Sequence, residues 1–117
     1  MTDERDLVRE AVTLIEERKG EDVVVIDLSD ASIPTSYFVV AGADNPVHVK
    51  ALVTALREGL RIKPIRSEGV SERKWVVLDY GDIVVHIHER QARAFYDIES
   101  LWADHVIDLD VVMSKGR

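Results

Sequence analysis

Apolar residues set the first boundaries along this chain. From Thr2 to Gly20, Leu7, Val8, Ala11, Val12, Leu14 and Ile15 recur at helical spacing, and Asp3 and Glu4 open the run while Arg18, Lys19 and Gly20 close it. Acid at the start and base plus glycine at the end suit an amphipathic helix. VVVIDL (23–28) is apolar throughout and predicts a short buried strand, followed by SDASIPTS, whose Ser, Asp and Pro content predicts a loop. YFVVAGA (37–43) predicts a second strand, and Asn45 before Pro46 supplies an N-cap and a first helical residue for a second helix. The core stripe of that helix is Val49, Leu52, Val53, Leu56 and Leu60. Gly59, Pro64 and Gly69 then mark a connection with a weak strand around 63–66.

WVVLDYGDIVVHIHE (75–89) alternates on both sides of Tyr80-Gly81 and predicts a hairpin turning there. This register would pair Asp79 with Asp82, Leu78 with Ile83, Val76 with Val85 and Trp75 with His86, leaving two carboxylates side by side at the hairpin mouth. Both faces are largely apolar, which is the pattern of interior strands. ERQARAFYDIESLW (89–102) predicts a third helix with Phe95, Ile98, Leu101 and Trp102 facing inward and Arg93 and Asp97 as a surface ion pair. The expected architecture is a single α/β domain: a mixed sheet of about five strands with helices packed on it. The domain is expected over residues 1–105, with 106–117 a tail that adds an edge strand or frays.

Composition narrows the class. A chain of 117 residues buries roughly two-thirds of its unfolded surface in one core. No segment approaches the eighteen or so consecutive apolar residues of a membrane span, and the acidic, helical MTDERDLVRE does not match a signal peptide. With no cysteine there are no disulfides or thiolate metal sites, and a cytoplasmic location is expected. The formal charge of −7 argues against a sequence-independent grip on nucleic acid, which needs a basic stripe; it suits a basic protein partner better.

Chemistry has few footholds. His86 and His88 share a strand face and could offer two imidazoles to a metal, but Asp79 lies towards the other end of the hairpin and Glu89 points to the opposite face, so no third ligand converges. The AGADNP loop (41–46) joins a strand to a helix N-terminus, where backbone N–H groups can hold an anion, yet it has one Gly and no following Lys or Ser. Asp108 and Asp110 could bind magnesium, although a polar-out edge strand explains them more simply. Ser29, Ser36 and Ser71 lack a motif that would activate a nucleophile. Trp and Tyr near 75–102 fit core packing first and binding hot spots second.

Taken in order, KGEDVVVIDL (19–28), SYFVVAGADNPVHV (36–49), EG (68–69), WVVLDYGDIVVHI (75–87) and R-x-x-Y-D-I-E-S-L-W (93–102) resemble the Iojap-like ribosomal silencing factor family over about residues 5 to 104. The resemblance implies an α/β domain related in fold to nucleotidyltransferases and without a demonstrated activity. It further implies docking on the large ribosomal subunit through the protein conventionally called the fourteenth, which occludes the small subunit and lowers translation under nutrient limitation. No catalytic residue, cofactor, metal, membrane contact or direct nucleic-acid readout is then expected. Pairing into a homodimer is compatible with it. The motif residues are Trp75, Leu78, Asp79, Tyr80, Gly81, Asp82, His86, Arg93, Tyr96, Glu99 and Trp102. Among them Trp75, Asp79, Tyr80, Asp82, Tyr96, Glu99 and Trp102 are expected to bind the partner. Around AGADNPVHV the sequence departs from the family, where many members have Thr-Gly-x-Ser and an Arg before the His matching His48; here stand Ala41, Asp44 and Val47, and Ser36 takes a place often held by Asp. The competing expectation is a nucleotidyltransferase-like nucleotide binder or enzyme.

Overall fold

A computed structural model of the chain describes residues 4–92 and 98–114. Helix α1 (Glu4–Glu17) carries Glu4 and Asp6 in its first turn and buries Leu7, Val8, Ala11, Val12 and Ile15. It ends in a Schellman motif in which Lys19 N–H donates to Glu16 O (3.0 Å) and Gly20 N–H to Ile15 O (2.9 Å). Lys19 takes the left-handed conformation (φ 63). Gly20 is needed for space, since a Cβ there would lie 2.2 Å from Ile15 Cγ2. Strand β1 (Glu21–Asp27) begins two residues before the apolar run because Asp22 (φ 48) sits in a bulge that lets Glu21 pair with Gly42.

Strand β2 (Tyr37–Ala43) and helix α2 (Pro46–Gly59) follow the sequence reading closely. Asn45 Oδ1 accepts from His48 N (2.9 Å), and Val49, Leu52, Val53, Leu56 and Leu60 are all buried. After α2 come β3 (Arg66–Glu68), β4 (Trp75–Asp79), β5 (Ile83–Glu89), a helical start at residues 90–92, α3 (Ile98–Leu101), a 3-10 turn (Ala103–His105), β6 (Val106–Ile107) and α4 (Leu109–Met113). Phe95, Tyr96 and the Arg93–Asp97 pair lie outside the described residues.

The sheet has six strands in the order β3-β4-β5-β2-β1-β6, one more than the five expected. β2 and β5 run parallel at its centre, and every other pair is antiparallel. Both central strands are buried on both faces, as their unbroken apolar runs require. One face packs under α1, α2 and α4, with Val39, Val76, Leu78, Ile83, Val85 and Ile87 in that core. The other carries a smaller cluster of Ile26, Leu28, Val40 and Ile98, with Phe38, Trp75 and Trp102 packed against it.

Two expectations need correction. The hairpin register is shifted by two: Trp75 pairs with His88, Val76 with Ile87, Leu78 with Val85 and Asp79 with Val84, while Tyr80 N–H donates to Ile83 O (2.9 Å). Gly81 (φ 91) takes the positive φ of the turn. A slip of two leaves each residue on its expected face, which is why alternation alone cannot detect it. Leu101, expected inside, is 78% exposed, whereas Ile98 in the same helical segment is buried.

Candidate functional site

On strands the odd and even positions separate cleanly. Trp75, Val77 and Asp79 of β4, Val84, His86 and His88 of β5, and Phe38 and Val40 of β2 share the sheet face away from α1 and α2. At its middle Trp75 Nε1 donates to His86 Nδ1 (3.1 Å), across a diagonal rather than a direct pair. That bond fixes the neutral His86 tautomer with its proton on Nε2, and Nε2 is buried without a hydrogen-bond partner. Burial, and then the neighbouring His88, hold the His86 pKa down to about 4. Ring contacts knit the face together: Phe38 meets His86 edge-on at 4.6 Å, and Trp75 lies 5.1 Å from His88. Trp102 reaches the same layer with its ring edge-on to Phe38 at 6.4 Å and to His105 at 5.5 Å.

The residues expected to bind a partner divide in three ways. Trp75, Asp79, Glu99 and Trp102 are half-buried, and Asp82 is exposed. Tyr80 points to the opposite face, into the core under the helices, and is 5% exposed; burial pushes its phenol up to about 12. Tyr96 lies outside the described residues. The shifted register also separates the two aspartates. Asp79 faces Val84, accepts from Gly81 N (2.8 Å) and lies 3.7 Å from Arg66 Nη2, while Asp82 uses its backbone O to accept from Ser36 N (2.8 Å) and Tyr37 N (3.2 Å). The hairpin mouth therefore presents one turn-bound carboxylate and one free-standing one.

The residue that sequence reasoning missed is Leu101. It stands 78% exposed next to half-buried Trp102, while Phe38, Trp75, Val77, Asp79 and Val84 are half-buried on one sheet face, Asp82 is exposed at the turn, and one Glu99 carboxylate oxygen is buried.

The other chemical candidates are consumed by the fold. At the AGADNP loop, Asp44 N donates to His48 Nδ1 (3.0 Å), His48 Nε2 donates to Arg18 O (2.8 Å), and Arg90 bridges Asp44 and Glu21. His48 thereby ties the end of α1 to the start of α2 and takes up Asp44 N–H, while Asn45 Oδ1 takes up His48 N–H, two amides an anion would use. Asp108, expected on an edge strand, is instead the N-cap of α4, accepting from Asp110 N (3.0 Å). Among the described residues no three His, Asp or Glu side chains converge as a metal site, and no helix is long and apolar enough to cross a membrane.

The whole chain, residues 1–117, matches the family model described as "Ribosomal silencing factor during starvation". It is 31% identical to the ribosomal silencing factor of Halalkalibacterium halodurans over 94% of this chain and 97% of that one. The mouse protein named "Mitochondrial assembly of ribosomal large subunit protein 1" is 28% identical over 78% of this chain and 42% of its own length. A crystal structure from Chromobacterium violaceum superposes with a TM-score of 0.83 at 31% identity, covering 87% of this chain and 88% of that one. A full-length family match, joined to this sheet order and its matching crystal structure, places the chain in the ribosomal silencing factor family.

Proposed function

We propose that this protein docks on the large ribosomal subunit through that subunit's fourteenth protein and blocks joining of the small subunit by occupying the surface it must approach. Occlusion needs bulk and a stable foothold, not catalysis. The observation that carries the reading is the half-buried face of Phe38, Trp75, Val77, Val84 and Trp102, with Asp79 on the same face and Asp82 exposed at the turn beyond it. An aromatic centre with a charged rim is the composition of a protein-binding patch. Carboxylates at the rim suit a basic ribosomal protein and would act mainly on association rate and orientation. The mouse relative's name connects a homologue to the large subunit.

Purified fourteenth protein, immobilised and titrated with this chain, tests the foothold. Saturable binding is expected, and Trp102→Ala should weaken it by about 2 kcal/mol, roughly thirtyfold, with the fold intact. No binding by the wild-type chain would overturn the reading.

A further inference from the structure

Charge is not spread evenly in this chain. Residues 50–74 hold seven of its 15 Lys and Arg but only three of its 22 Asp and Glu, so a basic stretch is hidden inside a formal charge of −7. The fold concentrates it further. Between α2 and the loop before β4 runs a narrow groove of about 110 Å³, with Val49, Val53, Val70 and Val76 as its floor and Lys50, Arg57 and Arg73 at its rim. Glu58, Glu68 and Glu72, the carboxylates of this stretch, do not line it.

Two tight features bring the rim together. Gly69 (φ 78) passes so close to β4 that a Cβ would lie 2.0 Å from Trp75 O, and Arg73 N–H closes the loop onto Gly69 O (2.9 Å), which sets Arg73 opposite α2. Lys50 and Arg57 are seven residues apart on α2, about 10 Å along its axis, far enough for each to take a separate anionic group. Among the described residues none of the three forms an ion pair; Arg57 donates to the neutral Ser67 Oγ (3.0 Å). The groove also has a telling position. Val76 is in its floor and Trp75 is next to it on the opposite face of β4, so the basic rim and the aromatic face lie on the two sides of the sheet at the same end of one strand.

Resting on the docking reading above, we infer that Lys50, Arg57 and Arg73 grip the phosphate backbone of ribosomal RNA beside the protein foothold. Separated, unpaired cations around a shallow groove suit a chain of phosphates, which attracts charge without needing base readout. A large subunit offers RNA and protein side by side, and a factor that meets both needs acid on one flank and base on the other.

The test compares the wild-type chain with the triple variant Lys50→Gln, Arg57→Gln, Arg73→Gln in three titrations across salt: intact large subunits, isolated fourteenth protein, and a labelled 20-base-pair RNA hairpin. Melting midpoints confirm that both chains are folded. On intact subunits the variant should lose affinity and reduce the slope of log K against log salt by about 2 to 3, one phosphate per cation. On the isolated protein it should match the wild type. An unchanged slope on subunits, or an equal loss on the isolated protein, overturns the inference, the latter assigning the groove to a protein contact. If the wild type fails to bind subunits, the docking reading falls and the hairpin decides: binding that the variant weakens supports the phosphate grip, and no binding overturns it.

Discussion

Acid is expected to loosen the face that carries Trp75, by an amount set by one buried imidazole. His86 is 6% exposed, accepts from Trp75 Nε1 and has its pKa lowered from 6.5 to about 4 by burial and by His88. The unfolded chain binds this proton at a higher pH than the folded one, so the contribution is whole above pH 6.5 and is lost as pH falls towards 4. Integrating between those values gives a loss of about 2 kcal/mol at pH 5 and about 3 kcal/mol at pH 4. Protonation also ends the role of Nδ1 as acceptor, so the Trp75 bond is lost at the same step. Urea unfolding at a series of pH values between 7.5 and 5, on the wild type and on His86→Phe, measures the effect. Shared carboxylate titrations cancel in the difference. His86→Phe should be less stable at pH 7.5 by about 1 kcal/mol, for the indole N–H left without its acceptor, and should then gain on the wild type as pH falls. Parallel pH dependences in the two proteins would refute the reasoning.

Other expectations concern backbone and surface. Gly69→Ala should cost about 3 kcal/mol or more, because the added Cβ meets a backbone carbonyl at 2.0 Å on top of a positive φ; thermal melts check it, and a change under 1 kcal/mol would be a surprise. Leu101→Ser should leave stability within about 0.5 kcal/mol yet weaken binding to large subunits, since the side chain is 78% exposed in the free protein. Replacing Asp79, Asp82 and Glu99 by Asn, Asn and Gln should slow association and flatten its salt dependence with little change in dissociation, read by stopped-flow mixing with large subunits.

Local chemistry made some elements legible in advance. Asn45-Pro46 announces the start of α2 because a cap and a fixed φ act within one turn, and the stripe from Val49 to Leu60 has a period that only one face can bury. β2 is readable because a central strand is apolar without interruption. The β4–β5 register was not, because alternation is blind to a shift of two, and the cross-strand partners are set by where Gly81 turns. Asp108 and Asp110 looked like a strand edge or carboxylate pair because a five-residue helix leaves too short a period to recognise. The candidate surface was half legible: Trp75, Asp79, Asp82, Glu99 and Trp102 stand out by type, whereas the burial of Tyr80 depends on strand parity at the turn and the exposure of Leu101 runs against the helical pattern. The basic groove could not be read at all as a site, since Lys50 and Arg57 meet Arg73 only through the tertiary fold.

Reassociation of separated ribosomal subunits tests the central claim most directly. Large subunits preincubated with this chain, mixed with small subunits and resolved on sucrose gradients, should carry the protein in the large-subunit peak, with none in the small-subunit peak, and should form fewer joined ribosomes as the chain approaches one per large subunit. Undiminished joining at saturating binding would contradict occlusion, and equal binding to both subunits, or to neither, would contradict the docking site itself.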